Sequence, residues 1–234
     1  RDAATVPTKA EFSRLMKQKY TDINELNKVW HLNLASWQEF DKGVKVDVKN
    51  NDQLADFSIM LSAYADKYFS VVDAAMDKYL PNHLYLGARF PDWGMPIEVV
   101  RASAKHVDVI SFNAYKEGIK PKKWEFLSEF DKPTIIGEFH VGASDSGLFH
   151  PGLIHASNQQ DRAKMYKDYM RSVIDNPYFI GAHWFQYIDS PITGRAYDGE
   201  NYNVGFITVT DRPYTEMVEA AKTINNEMHF ILRI

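Results

Sequence analysis

Two segments, residues 133–140 (PTIIGEFH) and 179–187 (FIGAHWFQY), begin as apolar runs and end in groups that a buried strand avoids. Glu138 and His140 close the first; His183, Trp184, Gln186 and Tyr187 close the second. Acidic residues are depleted in strands, and a buried charge is costly unless it is paired. Strands that are apolar along their length and polar at the carboxyl end belong to a parallel α/β sheet whose site is built at those ends. A carboxylate at one strand end and an aromatic–amide cluster at the next suit a site that cleaves sugars.

The rest of the chain supports that rhythm. Residues 8–20 read as a helix capped by Thr8, with Phe12, Leu15 and Met16 on one face. Residues 22–30 form a second, short helix, with Ile23, Leu26, Asn27 and Trp30 at helical spacing, and 41–52 an exposed loop or hairpin. A long helix over 52–80 places Leu54, Phe57, Leu61, Tyr64, Tyr68, Val71, Ala75 and Tyr79 three or four apart, and Pro81-Asn82 stops it. Strands are then predicted at 84–89, 107–115, 134–140 and 179–187. Helices are predicted at 96–105, 122–130, 159–175 and 214–226, the first with Pro at its start. Four βα units with apolar strands predict a parallel sheet covered by helices. No linker-like stretch interrupts the chain, so 1–234 is read as one domain. Four units are too few to close an eight-stranded barrel of ~250 residues. Either the sheet is open, or the chain is the second half of a barrel. The apolar end 229–234 (HFILRI) has no assigned role, as a β-segment or an out-of-place end.

Composition excludes some functions. A net charge of -4 argues against a basic face for nucleic acid or anionic membrane. Without cysteine there are no disulfides or thiolate metal sites. No apolar run reaches the ~18 residues that span a bilayer. The chain opens on Arg1 with no signal peptide, so its N-terminus is expected to have been removed or never included. The 14% aromatic content suits a carbohydrate cleft and an aromatic core equally well.

Retaining glycosidases need two carboxyl groups ~5–5.5 Å apart, one as nucleophile and one as acid/base. Glu138 is the nucleophile candidate: a strand holds it rigidly, and Gly137 lets substrate or neighbouring side chains approach. Its alternative is a salt-bridged strand-end Glu. Arg89, His140 and His183 are polar groups to surround the carboxylate or bind hydroxyls. His140, His183 and an acid lack metal-type spacing, so no metal is expected. Asn113 and Tyr115 end the second strand, and Tyr115 would hydrogen-bond the carboxylate or cap the core. Trp184 offers a flat apolar face to a sugar ring, or a plug to the interior. Gln186 and Asp189 offer partners for hydroxyls. The polar, Gly-punctuated loop 193–205 carries Asp198, Glu200, Asn201 and Asn203, of which Glu200 and Asn201 are taken as substrate contacts. In the loop 145–158, His150 and His155 reach either a ligand or solvent.

Several of these runs together resemble a known family. Residues 137–140 (GEFH), 183–189 (HWFQYID), 193–195 (TGR), 198–206 (DGENYNVGF) and 210–214 (TDRPY) are similar to the C-terminal half of β-agarases of glycoside hydrolase family 50, in the retaining (β/α)8 clan. Residues 20–30 (YTDINELNKVW) with 36–39 (SWQE) resemble the helix pair after the fourth strand, also found in family 42 β-galactosidases. The resemblance implies that Glu138 ends the seventh strand as nucleophile, with Arg89, Asn113, Tyr115, His140, Trp184, Gln186 and Asp189 at the ends of strands five to eight. It implies hydrolysis of β-1,4-galactosidic bonds of agarose or neoagaro-oligosaccharides by double displacement, without cofactor or metal. It also implies a secreted or periplasmic bacterial location. The family's acid/base, a Glu in an Asn-Glu pair ending strand four, would stand before residue 1; Asn24-Glu25 and Asn226-Glu227 fall on predicted helices. A half-barrel would expose a sheet edge, so a second copy or an N-terminal half-barrel is expected to pair with it. The alternatives are a β-galactosidase of the same clan and a non-catalytic galactan-binding half-barrel.

Overall fold

The computed structural model of the chain describes residues 3–48 and 50–231. These fall into two compact units, residues 1–83 with 96–106, and residues 84–95 with 107–234. No helix among the described residues is long and apolar enough to cross a membrane.

The first unit is helical. Helix α1 (Pro7–Lys19) opens on Pro7 with Val6 as an N-cap that makes no side-chain bond, not on the expected Thr8 cap. Proline suits the first position because its missing N–H has no intrahelical partner there. Helix α2 (Ile23–Trp30) is capped by Asp22, which accepts from the N–H groups of Asn24 and Glu25. A short α3 (Trp37–Asp41) follows, and the described residues between it and α4 (Asn51–Tyr79) carry no strand. Asn50 caps α4 by accepting from Gln53 N–H at 2.8 Å. Helix α5 (Ile97–His106) completes the unit.

The core of this unit is Phe12, Met16, Tyr20, Ile23, Leu26, Trp30 and Phe40. The expected inward face of α4 is corrected. Leu54, Tyr64, Tyr68, Val71 and Tyr79 are exposed, whereas Gln53, Asp56, Ala65 and Phe69 are buried. The face is displaced by about one residue because Asp56 is the internal acceptor of the unit. It takes Tyr20 Oη at 2.7 Å, Trp30 Nε1 at 2.7 Å and Lys19 Nζ at 2.6 Å. Such donors offset the burial of a carboxylate.

The second unit is a parallel sheet. Its strands are β1 (Arg89–Pro91), β2 (Ile110–Asn113), β3 (Thr134–Phe139) and β6 (Phe179–Trp184), hydrogen-bonded in the order β1-β2-β3-β6. A second sheet of two residues per strand, β4 (Gly142–Ala143) with β5 (His155–Ala156), lies between β3 and α6 (Gln159–Ile174). Residues 121–129 form a 3₁₀ helix where an α-helix was predicted. The first strand begins at Arg89 rather than 84, because Tyr85 bonds Asp108 instead of a ladder partner: its N–H donates to the carboxylate, and its carbonyl accepts from Asp108 N–H. Helix α7 (Thr215–Ile231) packs on α6 and is helical past the predicted end at 226; residues 232–234 lie outside the described residues.

The aromatics are largely spent on the helix-covered face of this sheet. Phe139 stacks on Tyr169 of α6 with centroids 4.0 Å apart, and Trp124 meets Phe112 and Phe179 edge-on at 4.9 and 5.1 Å. Each such pair contributes about 0.5–1.5 kcal/mol beyond area burial. Successive strand residues face opposite ways, so with Phe139 turned toward α6, Glu138 faces the other side.

Candidate active site

Three strands assemble the groups around Glu138. The register between β2 and β3 skips a residue, pairing Phe112 with Ile136 and Asn113 with Glu138. Gly137 is therefore the residue left over. A Cβ on it would lie 2.5 Å from Ser111 Oγ and 2.7 and 2.9 Å from Arg89 Cδ and Cγ. The glycine is required because the Arg89 side chain crosses over it to reach Glu138. Arg89 Nη1 pairs with Glu138 Oε1, and Tyr115 Oη donates to Oε2 at 2.6 Å. The carboxylate is thus held at both oxygens, by a cation and by a phenol.

Burial and the Glu138 hydrogen bond push the Tyr115 hydroxyl well above its ordinary pKa. It keeps its proton and stays a donor. Asn113 Oδ1, next to Glu138, is buried and has no hydrogen-bond partner among the described residues. His183 precedes Trp184 on β6; Trp184 faces α6, so His183 falls on the Glu138 side, where it is exposed. Gln186 folds back so that Nε2 donates to Ile188 O at 3.1 Å.

The loop after β6 supplies a second acidic group. Glu200 pairs with Arg195, which also binds Asp198 at 2.7 Å. Burial raises the Glu200 pKa; Arg195 opposes this, and the nearby charges of Asp198 and Glu138 add to it. Asn201 follows Glu200, half-buried.

Three of the expected substrate contacts are engaged by groups of the protein itself. Trp184 is partly buried: Phe139, Tyr166 and Phe206 pack on it edge-on at 5.1, 5.4 and 5.6 Å, and its Nε1 donates to Val204 O at 2.6 Å. The cause is alternation, which sends it to the helix side with Phe139. Asp189 is buried, with Oδ1 accepting from Asn203 Nδ2 and Gly205 N–H and Oδ2 from Tyr214 Oη at 2.6 Å. His140 is buried, its Nε2 accepting from Leu153 N–H at 2.8 Å and its ring 4.8 Å from Tyr115. Burial, with the Arg162 charge, lowers its pKa to about 3, so it is a neutral buttress behind Tyr115. Of the two loop histidines, His150 Nδ1 accepts from Gly152 N–H at 3.2 Å and His155 meets Ser144 Oγ.

Arg162 is a residue supporting the site that the sequence reading did not single out. It is fully buried on α6 and donates to Val141 O at 2.7 Å, Gly205 O at 2.8 Å and Gln159 Oε1 at 3.1 Å. It thereby ties the segment after β3 to the segment after β6. Its only signal in the sequence is a charged residue on the inward face of a helix. Among the described residues no three His, Cys, Asp or Glu side chains converge to hold a metal ion.

No family model matches the chain. It is 52% identical over 232 residues to Beta-agarase B of Vibrio sp. (strain JT0107), and 46% identical over 235 residues to Beta-agarase A of that strain. Among solved structures, that of PfGH50B superposes with a TM-score of 0.95 at 84% identity, and that of an exo-β-agarase with 0.95 at 64% identity. These two matches cover 98% of this chain and 32% and 31% of the others. The chain spans 24% of the two Vibrio proteins. Along 97–98% of its length the chain is thus similar to a part of these β-agarases and of the family 50 structure PfGH50B.

Proposed function

We propose that the chain is the nucleophile-bearing part of a retaining β-agarase that hydrolyses β-1,4-galactosidic bonds of agarose or its oligosaccharides. The observation that carries this is Glu138 at the carboxyl end of β3, gripped by Arg89 and Tyr115 on the sheet face away from α6. In the first step a Glu138 oxygen bonds the anomeric carbon as the glycosidic C–O bond breaks, and the leaving oxygen takes a proton from a general acid. In the second step water gives a proton to that same group, now the base, its oxygen bonds the anomeric carbon, and the Glu138 carboxylate leaves. Tyr115 and Arg89 fix the carboxylate oxygens, and Asn113 and His183 stand beside them for sugar hydroxyls. The general acid is the Glu of the Asn-Glu pair that the family resemblance implies, and Glu200 is held by Arg195.

The same reading makes the sheet one half of a (β/α)8 barrel. The order β1-β2-β3-β6 never reverses, unlike a doubly wound sheet with its switch point. β1 and β6 are then the edges that the remaining strands cover; Ile180 of β6 is 65% exposed. A polymeric substrate places such an enzyme outside the bacterial cytoplasm.

An activated aryl β-galactoside tests the proposal, because its leaving group departs without an acid. The expected result is release of phenolate with one galactosyl residue retained on Glu138, located by peptide mass spectrometry, and none with Glu138→Gln. An adduct at another residue, or none on the unmodified chain, overturns it.

A further inference from the structure

Trp184, which the sequence offers as a sugar platform or an interior plug, packs against Phe139, Tyr166 and Phe206. Other rings are free. Among the described residues of the second unit, every aromatic more than two-thirds exposed lies on a connection leaving the carboxyl end of a strand of the main sheet. Trp93 follows β1 (86% exposed), Phe149 lies between β3 and α6 (78%), and Tyr187 and Tyr197 follow β6 (69% and 78%). A single exposed aromatic needs no explanation. Four at the end that carries Glu138, with the helix-side rings buried or half-buried, form a pattern that burial alone would not leave.

Two of them are tied to the Glu138 site from opposite sides. The Arg195 guanidinium lies 4.9 Å from the Tyr197 ring and pairs with Glu200, on the loop that leaves the carboxyl end of β6, the strand beside that of Glu138. Trp93 follows Asp92, whose buried carboxylate is 3.4 Å from the Nζ of Lys116, the neighbour of Tyr115. In the order β1-β2-β3-β6, the strand of Glu138 stands between the strands that lead to these two rings. The flat apolar face of an aromatic ring complements the C–H face of a pyranose, and the Tyr hydroxyl or Trp N–H adds a polar edge. Separated single rings suit a chain of separate sugar units better than they suit a protein partner, which needs one contiguous patch.

We propose that Trp93 and Tyr197 are stacking platforms for sugar units of one galactan chain, laid across the strand ends on the two sides of Glu138. This rests on the reading of Glu138 as the nucleophile. The test is retention of the 234-residue chain in gels containing agarose, with calorimetric titration of agarose-derived oligosaccharides. Trp93→Ala and Tyr197→Ala are each expected to weaken binding about threefold to tenfold, and Trp93→Phe to keep most of it. The far-ultraviolet spectrum of each variant should match the parent, since both rings lie in solvent. Retention unchanged in both Ala variants overturns the platforms while leaving the galactosyl adduct at Glu138 intact. A parent chain that neither is retained nor titrates also overturns them, and the adduct experiment then reports separately on the nucleophile.

Discussion

Gly137→Ala isolates the feature on which the candidate site depends most. The Gly137 backbone lies outside the left-handed region, so alanine meets no conformational strain there and the effect is steric. The added methyl would sit 2.5 Å from Ser111 Oγ, 2.7 Å from Arg89 Cδ and 2.9 Å from Arg89 Cγ, distances that real Cβ atoms do not tolerate. Overpacking of this kind costs about 1–3 kcal/mol. Against it stands the lower entropy of an unfolded chain with alanine, about 0.4–1 kcal/mol. A net loss of about 1–2 kcal/mol lowers Tm by roughly 2–8 °C in a chain of this size. Arg89 is half-exposed and flexible, so it should yield first and release Glu138 Oε1. Thermal unfolding of Gly137→Ala, Arg89→Ala and the double variant measures this. Arg89→Ala alone should cost at most about 1 kcal/mol, as for a solvent-exposed pair. The double variant should be less destabilised than the sum, by about 0.5 kcal/mol or more. Strict additivity, or a Gly137→Ala chain as stable as the parent, refutes the claim that this glycine exists to let Arg89 pass.

Three further outcomes follow from the geometry. Tyr115→Phe removes a donor to a carboxylate worth about 1.5–3 kcal/mol, so galactosyl transfer to Glu138 from an activated aryl galactoside should slow roughly tenfold to hundredfold, measured by stopped-flow phenolate release. Asp189→Ala leaves Asn203, Gly205 N–H and Tyr214 without their acceptor, removes the charge that offsets buried Arg162, and should cost about 3–5 kcal/mol in urea unfolding, whereas Asp189→Asn should cost less. His140 has a folded pKa of about 3 against 6.5 when free. Between these values the unfolded chain binds the extra proton, so His140 costs nothing above about pH 6.5 and destabilises progressively as pH falls toward 3. The slope is at most about 1.4 kcal/mol per pH unit. His140→Gln should flatten that limb of the urea-midpoint profile, and the His140 ring resonances should not titrate between pH 5 and 8.

Much of the candidate site was legible because it follows from alternation and strand ends. Glu138, Arg89, Asn113 and Tyr115 are placed by apolar runs that stop in polar residues, and the structure brings all four together. Trp184 stayed open between a sugar face and an interior plug because the sequence does not reveal which face its strand turns to the helices. Its pairing with Phe139 across the sheet settles that. The α4 stripe was misread for a related reason. A polar residue, Asp56, holds the inward position that hydrophobic spacing gives to Leu54 and Phe57, and only its three donors make that affordable. The two-residue strands β4 and β5 are too short to carry a period at all.

The loops around Glu138 are fixed by a buried charge as well as by the apolar cluster of Val141, Ala143 and Ala156. Burying Arg162 costs enough to pull its pKa down to about 10, with the Asp189 charge working against that fall. A leucine would fill such space at lower cost, as buried ion networks commonly allow. A leucine, however, could not donate to the carbonyls of Val141 and Gly205 at once. Those two carbonyls lie on the segments that carry His140, behind Tyr115, and lead back to Glu200. Asp189 repeats the connection from the acceptor side, binding Asn203 and Gly205 N–H on one oxygen and Tyr214 on the other. Asn203 extends it through its own Oδ1 to Ala143 N–H and Gln159. Each member has a partner with a fixed direction, so neither segment can slide along the other without leaving a buried polar group unpaired, at about 1–3 kcal/mol each. Loops without regular secondary structure are thereby given the rigidity that positioning a nucleophile demands.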